Sequence, residues 1–207
     1  MFDYIFLDKE TCLFCKNEDI EKHFLCKSCL DKLDFVDNDF DILGYRAHNL
    51  YFYNDFSKKL IGDYKFNRNT SLFRVFGSML KEYIENKNIF DFDYVLTVPS
   101  SKSILKKRGF DHVRLIGDYF LDKGLYLNSF KKVKNTKAQH NLSREDRDKN
   151  LRNSFVIKEN LKGKKILILD DIITSSATMK EVVRTLNKKN PKNIQILALF
   201  SSHRVKK

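Results

Sequence analysis

The segment from Ile166 to Thr178 constrains the fold more than any other part of the sequence. It reads ILILDDIITSSAT, an apolar run followed by two adjacent aspartates and a turn rich in hydroxyl side chains. Short continuous apolar runs are typical of parallel strands that are buried on both faces. Apolar residues then recur at the spacing of one helical face, at Met179, Val182, Val183 and Leu186. The segment therefore predicts a strand that leads through a polar turn into a helix.

Two more apolar runs, at residues 94–98 and 194–200, predict further strands. The order strand, helix, strand from residue 166 to 200 is a βαβ unit, and such units build parallel sheets. A strand or hairpin is expected at 43–53 and a core-facing helix at 72–83. We predict an α/β fold in which helices flank a mostly parallel sheet.

The polar turn after the strand predicts a phosphate site. Ligands of open α/β sheets bind at the carboxyl ends of strands, and backbone N–H groups at the start of a helix attract anions. The backbone and hydroxyl groups of Thr174, Ser175, Ser176, Ala177 and Thr178 supply such donors, while Asp170 and Asp171 suit sugar hydroxyls or Mg²⁺. The alternative is an acidic strand end followed by an ordinary Ser/Thr helix cap.

All four cysteines lie in two C-x-x-C pairs ten residues apart, Cys12 with Cys15 and Cys26 with Cys29. Four thiolates close a tetrahedral zinc site and leave no position for a catalytic water, so the pattern predicts a structural metal. Residues 1–40 are predicted to form this zinc module, with an acidic, turn-prone boundary at 34–41. Residues 41–207 are predicted to form the main domain.

The net charge of +12 belongs to the main domain. Residues 1–40 hold five lysines against ten acidic residues, whereas residues 100–165 hold eighteen basic residues against seven acidic ones. This predicts an anion-binding surface in the second segment, with Lys131, Lys132 and Lys134 as candidate contacts to single-stranded DNA. A basic face that is simply solvated is the equally weighted alternative.

No apolar stretch reaches the length of a membrane span, and residues 1–10 lack the basic start of a secretory signal. The expected location is therefore the cytoplasm.

Several motifs together resemble the ComF family of competence proteins. They are residues 93–99 (DYVLTVP), 107–112 (KRGFDH), 139–147 (QHNLSREDR) and the segment 166–178, which is similar to the motif that binds phosphoribosyl pyrophosphate (PRPP) in type I phosphoribosyltransferases. The resemblance spans nearly the whole chain, because that family combines such a domain with a four-cysteine module. It implies a type I phosphoribosyltransferase-like fold, and a role in DNA uptake at the inner face of the membrane beside other uptake proteins.

The resemblance also assigns roles to individual residues. Asp170 and Asp171 would hold the ribose hydroxyls, residues 174–178 the 5-phosphate, and Ser100, Ser101 and Lys102 the pyrophosphate, with Mg²⁺ accompanying PRPP. The pattern departs at Ser176, where the family usually has glycine; a side chain there costs about 1–2 kcal/mol if the turn is left-handed. No segment indicates an acceptor pocket. A competence factor, a phosphoribosyltransferase of nucleotide salvage or biosynthesis, and a PRPP-responsive adaptor therefore remain open.

Overall fold

A five-stranded, mostly parallel sheet forms the centre of the protein. The computed structural model describes residues 11–17, 19–67, 69–89, 91–133 and 151–203, except for the side chain of Lys102. The strand order is β1-β2-β7-β6-β3, and every neighbouring pair except β1 and β2 is parallel. The strands of this sheet are β1 (Phe35–Ile42), β2 (Tyr45–Phe52), β3 (Tyr94–Thr97), β6 (Lys165–Ile173) and β7 (Asn193–Ser201).

Helices cover both faces of this sheet. The helices are α1 (Lys27–Leu30), α2 (Asp55–Phe66), α3 (Phe73–Lys87), α4 (Lys102–Arg108), α5 (His112–Gly117) and α6 (Ala177–Asn187). The inward residues of α2, α3 and α5 share one core cluster with Leu167 and Leu169, whereas α6 packs with Ile166 and Ile168 on the other face. Alternate residues of β6 thus enter separate cores, which explains its continuous apolar sequence. The predicted α/β class is confirmed.

Two shorter strands, β4 (Lys131–Lys132) and β5 (Phe155–Val156), form a separate antiparallel ribbon. They flank a basic stretch of the sequence. Residues 134–150 lie outside the described residues.

The acidic segment at 34–41 is a strand, although its composition suggested a turn. β1 pairs with β2 through a two-residue hairpin loop, in which Leu43 and Gly44 both have positive φ, 56° and 86°. This backbone fits the right-handed twist of a hairpin. The acids are tolerated because β1 is an edge strand, where charge prevents pairing with another chain. The domain boundary proposed after residue 40 falls inside this strand.

The cysteine module packs against the main domain rather than standing apart from it. Leu13, Leu25 and three of the cysteines belong to the same buried cluster as α2 and α3. The ring of Phe14 meets that of Phe56 on α2 edge to face, with centroids 5.3 Å apart. The module and the domain therefore share one hydrophobic core.

None of the helices in the described part of the chain is long and apolar enough to cross a membrane.

Candidate functional site

The two aspartates of the predicted sugar site lie within strand β6, not after it. β6 continues to Ile173, which pairs with Ser201 of β7. The polar turn therefore begins three residues beyond Asp171, at the carboxyl edge of the sheet. Ile172 and Ile173 fill the two strand positions between the acids and the turn.

Asp171 is held by two basic side chains from other elements. Lys65, near the end of α2, forms an ion pair with Oδ2 of Asp171, and Nε2 of His112 lies 3.4 Å from Oδ1. The side chains of Lys65, Asp171 and His112 are only 15%, 6% and 7% exposed. Water therefore screens their charges little. Burial alone would raise the pKa of Asp171, but Lys65 and His112 lower it below its usual range.

His112 connects this ion pair to Arg108. Nη1 of Arg108 lies 2.5 Å from Nδ1 of His112. Because the guanidinium can only donate, Nδ1 accepts, and the proton of a neutral imidazole is then on Nε2, facing Asp171. The backbone oxygen of His112 accepts a hydrogen bond from Tyr64 Oη at 2.8 Å. These contacts orient the ring toward the aspartate.

The KRGFDH segment, residues 107–112, forms a tight connection between two short helices. Arg108 ends α4, and Gly109 adopts φ 87°, a left-handed conformation that ends the helix. Asp111 then caps α5, accepting a hydrogen bond from the backbone N–H of Arg114 at 3.1 Å. This turn brings Arg108 and His112 to the same side of the connection. The sequence showed the motif but not its partner on β6.

The pKa of Asp170 is shifted in the opposite direction to that of Asp171. Burial and the charge of Asp171 raise its pKa well above the usual range. Its Oδ1 accepts the backbone N–H of Asp171 at 2.9 Å. Burial and the neighbouring charge thus oppose ionisation of Asp170, whereas Lys65 and His112 favour ionisation of Asp171. The carboxyl group of Asp170 lies outside these ion pairs and can form hydrogen bonds with a ligand at the sheet edge.

The turn after β6 positions Ser176 in a left-handed conformation, with φ 58° and ψ 0°. This is the conformation in which a side chain is costly and glycine is not. Thr174 is exposed and Ser175 partly exposed, whereas Ala177 is buried in the first turn of α6, which also contains Thr178. The turn thus presents its amides at the N-terminus of an eleven-residue helix.

His203 was not anticipated from the sequence. Its Nε2 lies 3.0 Å from Oγ of Ser176, and its ring stacks on Phe40 of β1 with centroids 4.6 Å apart. The side chain of Asn38 donates to its backbone oxygen at 3.0 Å. His203 follows β7, the strand beside β6, and parallel neighbours end at the same edge. The βαβ pattern was thus the signal from which the approach of residues after 201 to the turn could have been found.

The predicted pyrophosphate residues lie on the other side of β6. Ser100 and Ser101 follow β3, whose extension is bonded to β6 through Val98 N and Leu169 O at 3.3 Å. Oγ of Ser101 accepts the N–H of Ile104 at 3.4 Å, so it caps α4. Lys102 is the first residue of α4; its side chain lies outside the described atoms. Because β3 and β6 are parallel, their following loops share one edge of the sheet.

The predicted Mg²⁺ ion fits only part of this arrangement. Both oxygens of Asp171 face basic groups, Lys65 and His112, which would compete with a cation for this carboxylate. Asp170 has no such ion pair among the described contacts. An ion that arrives with a pyrophosphate ligand would therefore be held by Asp170 and ligand oxygens.

The four cysteines form a second site that is suited to a metal. Their sulfur atoms all lie within 4.8 Å of one another, and those of Cys15 and Cys26 are 3.7 Å apart. Tetrahedral zinc with bonds of about 2.3 Å separates its sulfurs by about 3.8 Å. Burial raises the pKa of Cys26 to about 11, whereas at Cys12 backbone hydrogen bonds from Cys15, Cys26 and Phe14 outweigh burial and lower the pKa to about 7. By the distances between its sulfur atoms, the cluster can hold a metal ion such as zinc.

His23 lies in the same module but faces α3. Its Nδ1 is 3.1 Å from Oγ of Ser78, and its Nε2 is 3.6 Å from a carboxylate oxygen of Glu82. The ring thus helps to dock the module on α3.

The candidate DNA contacts are only partly described. Lys131 is exposed on β4, Lys132 is half-buried with a pKa lowered by burial, and Lys134 lies outside the described residues. Tyr126 and Phe130, two of the aromatic residues interleaved with this basic segment, are 5% and 6% exposed and belong to the core. They cannot stack with bases in this structure.

Comparison with known proteins supports this reading of the fold. The phosphoribosyl transferase domain family matches residues 124–207. Competence protein F of Haemophilus influenzae is 32% identical over 99 residues, covering 45% of this chain and 43% of that protein. Competence protein ComFC of Streptococcus pneumoniae is 27% identical over 158 residues, 76% of this chain and 69% of that protein. The DNA utilization protein YhgH of Salmonella typhimurium is 26% identical over 110 residues, 52% and 48% of the two chains.

The matched segment spans less than half the length of competence protein F and of YhgH. The domain match includes β6, the turn at 174–176 and His203, but not Lys65, His112 or the cysteines. The structure brings Lys65 and His112 to Asp171 of β6, which lies within the matched segment.

Proposed function

We propose that this chain, which belongs to the ComF family of competence proteins, binds PRPP or a related phosphoribosyl ligand and assists the handling of single-stranded DNA during natural transformation. The observation that carries the ligand assignment is the edge formed by Asp170 and the turn at 174–176. The carboxyl group of Asp170 lies four residues before Thr174, where the turn that leads into helix α6 begins. A sugar phosphate offers hydroxyls to such a carboxyl group and a dianion to the amides of the turn.

In this proposal, each part of the edge has a distinct task. The amides and hydroxyls of 174–178 bind the 5-phosphate, and Asp170 bonds to the ribose hydroxyls. Asp171 fixes the side chains of Lys65 and His112 in place beside the ligand rather than contacting the ligand directly. Ser100, Ser101 and Lys102 approach the pyrophosphate from the loop after β3.

The DNA role is supported by the relatives named as competence and DNA utilization proteins and by the basic charge of residues 100–165. We place the protein in the cytoplasm, at the inner face of the membrane, beside other proteins of the uptake machinery. There the incoming strand is single and its phosphates attract a basic surface. The four cysteines would carry one structural zinc.

A phosphoribosyltransferase of nucleotide salvage or biosynthesis is the second candidate. The match to the phosphoribosyl transferase domain favours it. Two clefts in the described part of the chain, of about 410 and 350 Å³, are lined by residues near Phe66 and near Phe92, and neither includes residues 170–178. Release of pyrophosphate from PRPP with a panel of bases and amines would identify this activity.

Calorimetric titration tests the ligand assignment. Zinc-loaded protein should bind PRPP and ribose 5-phosphate, and Asp170→Asn should weaken binding about tenfold, the usual value of a hydrogen bond to a charged group. Asp93→Asn is the matched control, because Asp93 lies at the amino end of the sheet, where it accepts the backbone N–H of Lys165 at 2.8 Å. Absence of binding at millimolar ligand, or equal losses in the two variants, would contradict the proposal.

The competence role is tested separately. Disruption of the gene should abolish or strongly reduce transformation by added DNA, and the wild-type gene should restore it. Normal transformation in the disrupted strain would exclude this role and leave the ligand assignment untouched.

A further inference from the structure

Phe66 is the most exposed of the large apolar residues in the described part of the chain. It ends α2, it is 74% exposed, and it directly follows the partly buried Lys65. The guanidinium carbon of Arg108 lies 5.9 Å from the centre of its ring. An exposed aromatic ring beside an arginine provides a flat apolar face and a cation within one small area.

Helix α4 extends this area. Ile104 and Leu105 are 47% and 39% exposed, and Lys106 and Lys107 are exposed as well. Ile104 precedes Arg108 by four residues, so the two side chains lie on one face of the helix. The residues that form this area, hereafter the Phe66 surface, are Phe66, Ile104, Leu105, Lys106, Lys107 and Arg108.

Nearby acidic groups are engaged within the protein. Asp63 accepts hydrogen bonds from the side chains of Asn67 and Asn69, at 3.0 and 2.8 Å. Asp111 caps α5 through the N–H of Arg114. The Phe66 surface itself has three cationic residues and no acidic one. Its charge therefore complements a polyanion rather than a second copy of the same basic surface.

We infer that the Phe66 surface is where this protein contacts single-stranded DNA, an inference that rests on the proposed DNA role. Bases of a single strand expose their faces and stack on an aromatic ring, while lysines neutralise the adjacent phosphates. The Phe66 surface offers both groups together. The β4 segment offers the charges of Lys131 and Lys132, whereas its neighbouring aromatic rings, Tyr126 and Phe130, are buried.

The surface also adjoins the predicted ligand site. Arg108 bonds to His112, which faces Asp171, and Lys65 is bonded to Phe66 along the chain and to Asp171 through its side chain. A strand bound to the Phe66 surface would therefore lie next to the phosphoribosyl ligand.

Fluorescence anisotropy with a labelled oligothymidine of about 20 nucleotides tests the inference over a range of salt concentrations. Phe66→Ala should weaken binding at least about fivefold, because stacking on one aromatic residue contributes that much or more. Phe35→Ala is the matched control, since Phe35 is 60% exposed on the edge strand β1. The double variant Lys106→Gln, Lys107→Gln should reduce the log-log salt slope by about 1.4, the value for two phosphate contacts.

Each alternative gives a different result. Wild-type affinity in Phe66→Ala, with the loss found instead in Lys131→Gln, Lys132→Gln, would overturn the Phe66 surface but keep the DNA role. No binding by the wild-type protein at low salt would overturn both. Sedimentation that shows self-association lost in Phe66→Ala, with DNA binding unchanged, would mark this surface as an interface between copies and overturn the inference.

Discussion

Replacement of Asp171 by asparagine should destabilise the protein far more than the same change at Asp170. In Asp171→Asn the ammonium group of Lys65, whose side chain is 15% exposed, loses its counter-charge. Breaking a buried ion pair from one side costs about 3–5 kcal/mol. Lys65 lies near the end of α2 and can extend toward solvent, so we expect the lower value, about 3 kcal/mol.

The same substitution at Asp170 has the opposite expected effect on the free energy of unfolding. Burial and the charge of Asp171 raise its folded-state pKa, so its ionised form opposes folding as the pH rises. Asp170→Asn should leave stability unchanged or increase it at pH 7. For Asp171, whose folded pKa is lowered, the stabilising effect is full above its unfolded pKa and disappears as the pH falls through the folded value.

Thermal unfolding monitored by circular dichroism would measure both variants in zinc-loaded protein. For a chain of this size, 1 kcal/mol shifts Tm by roughly 2–4 °C, so Asp171→Asn should lower Tm by about 6–12 °C. The double variant Lys65→Met, Asp171→Asn should recover most of this loss, because it removes the unpaired charge. Equal Tm values for the two asparagine variants, or no recovery in the double variant, would refute the reasoning.

Two further predictions concern the metal and the turn. Purified protein should contain one zinc per chain, and Cys12→Ser should lower the Tm of the whole protein, because the cysteines share a core with α2 and α3; metal analysis with thermal unfolding checks this, and a separate low-temperature transition of the module alone would contradict it. Ser176→Gly should remove the left-handed strain of about 1–2 kcal/mol but lose the hydrogen bond to His203, worth about 1 kcal/mol, so stability should change little. Its affinity for ribose 5-phosphate in calorimetry should rise, and a clear fall would instead identify the Ser176 hydroxyl as a ligand donor.

The central βαβ unit could be predicted from sequence because its signals are local. The apolar runs of β6 and β7 and the apolar face of α6 each lie within one element, and their order determines the parallel pairing. The hairpin of β1 was harder to predict, since the acids of an edge strand resemble those of a turn. The Leu43-Gly44 loop lacked the Asn-Gly or Asp-Gly pair that signals such a hairpin.

The ion pair of Lys65 and Asp171 could not be predicted, because it joins residues 106 positions apart in sequence. The sequence does contain signals for helix α2. Asn54 is its N-cap and accepts the N–H of Ser57 at 2.8 Å. The apolar residues Leu60, Ile61 and Tyr64 recur at helical spacing. Those signals locate a helix but not the strand that its last turn meets. Likewise, the KRGFDH motif was visible in the sequence, but its contact with Asp171 depended on how α5 packs against the sheet.

Helix α2 contacts the cysteine module, the candidate ligand site and the Phe66 surface. Its first turn carries Phe56, which packs on Phe14 of the cysteine module. Its last turn carries Lys65, which holds Asp171 from within, and Phe66, which faces solvent beside Arg108. Because one helix spans these contacts, a shift of the cysteine module would move the ammonium group of Lys65 at the sheet edge. A metal ion bound by the four cysteines would therefore stabilise the charge arrangement of the candidate ligand site as well as the module.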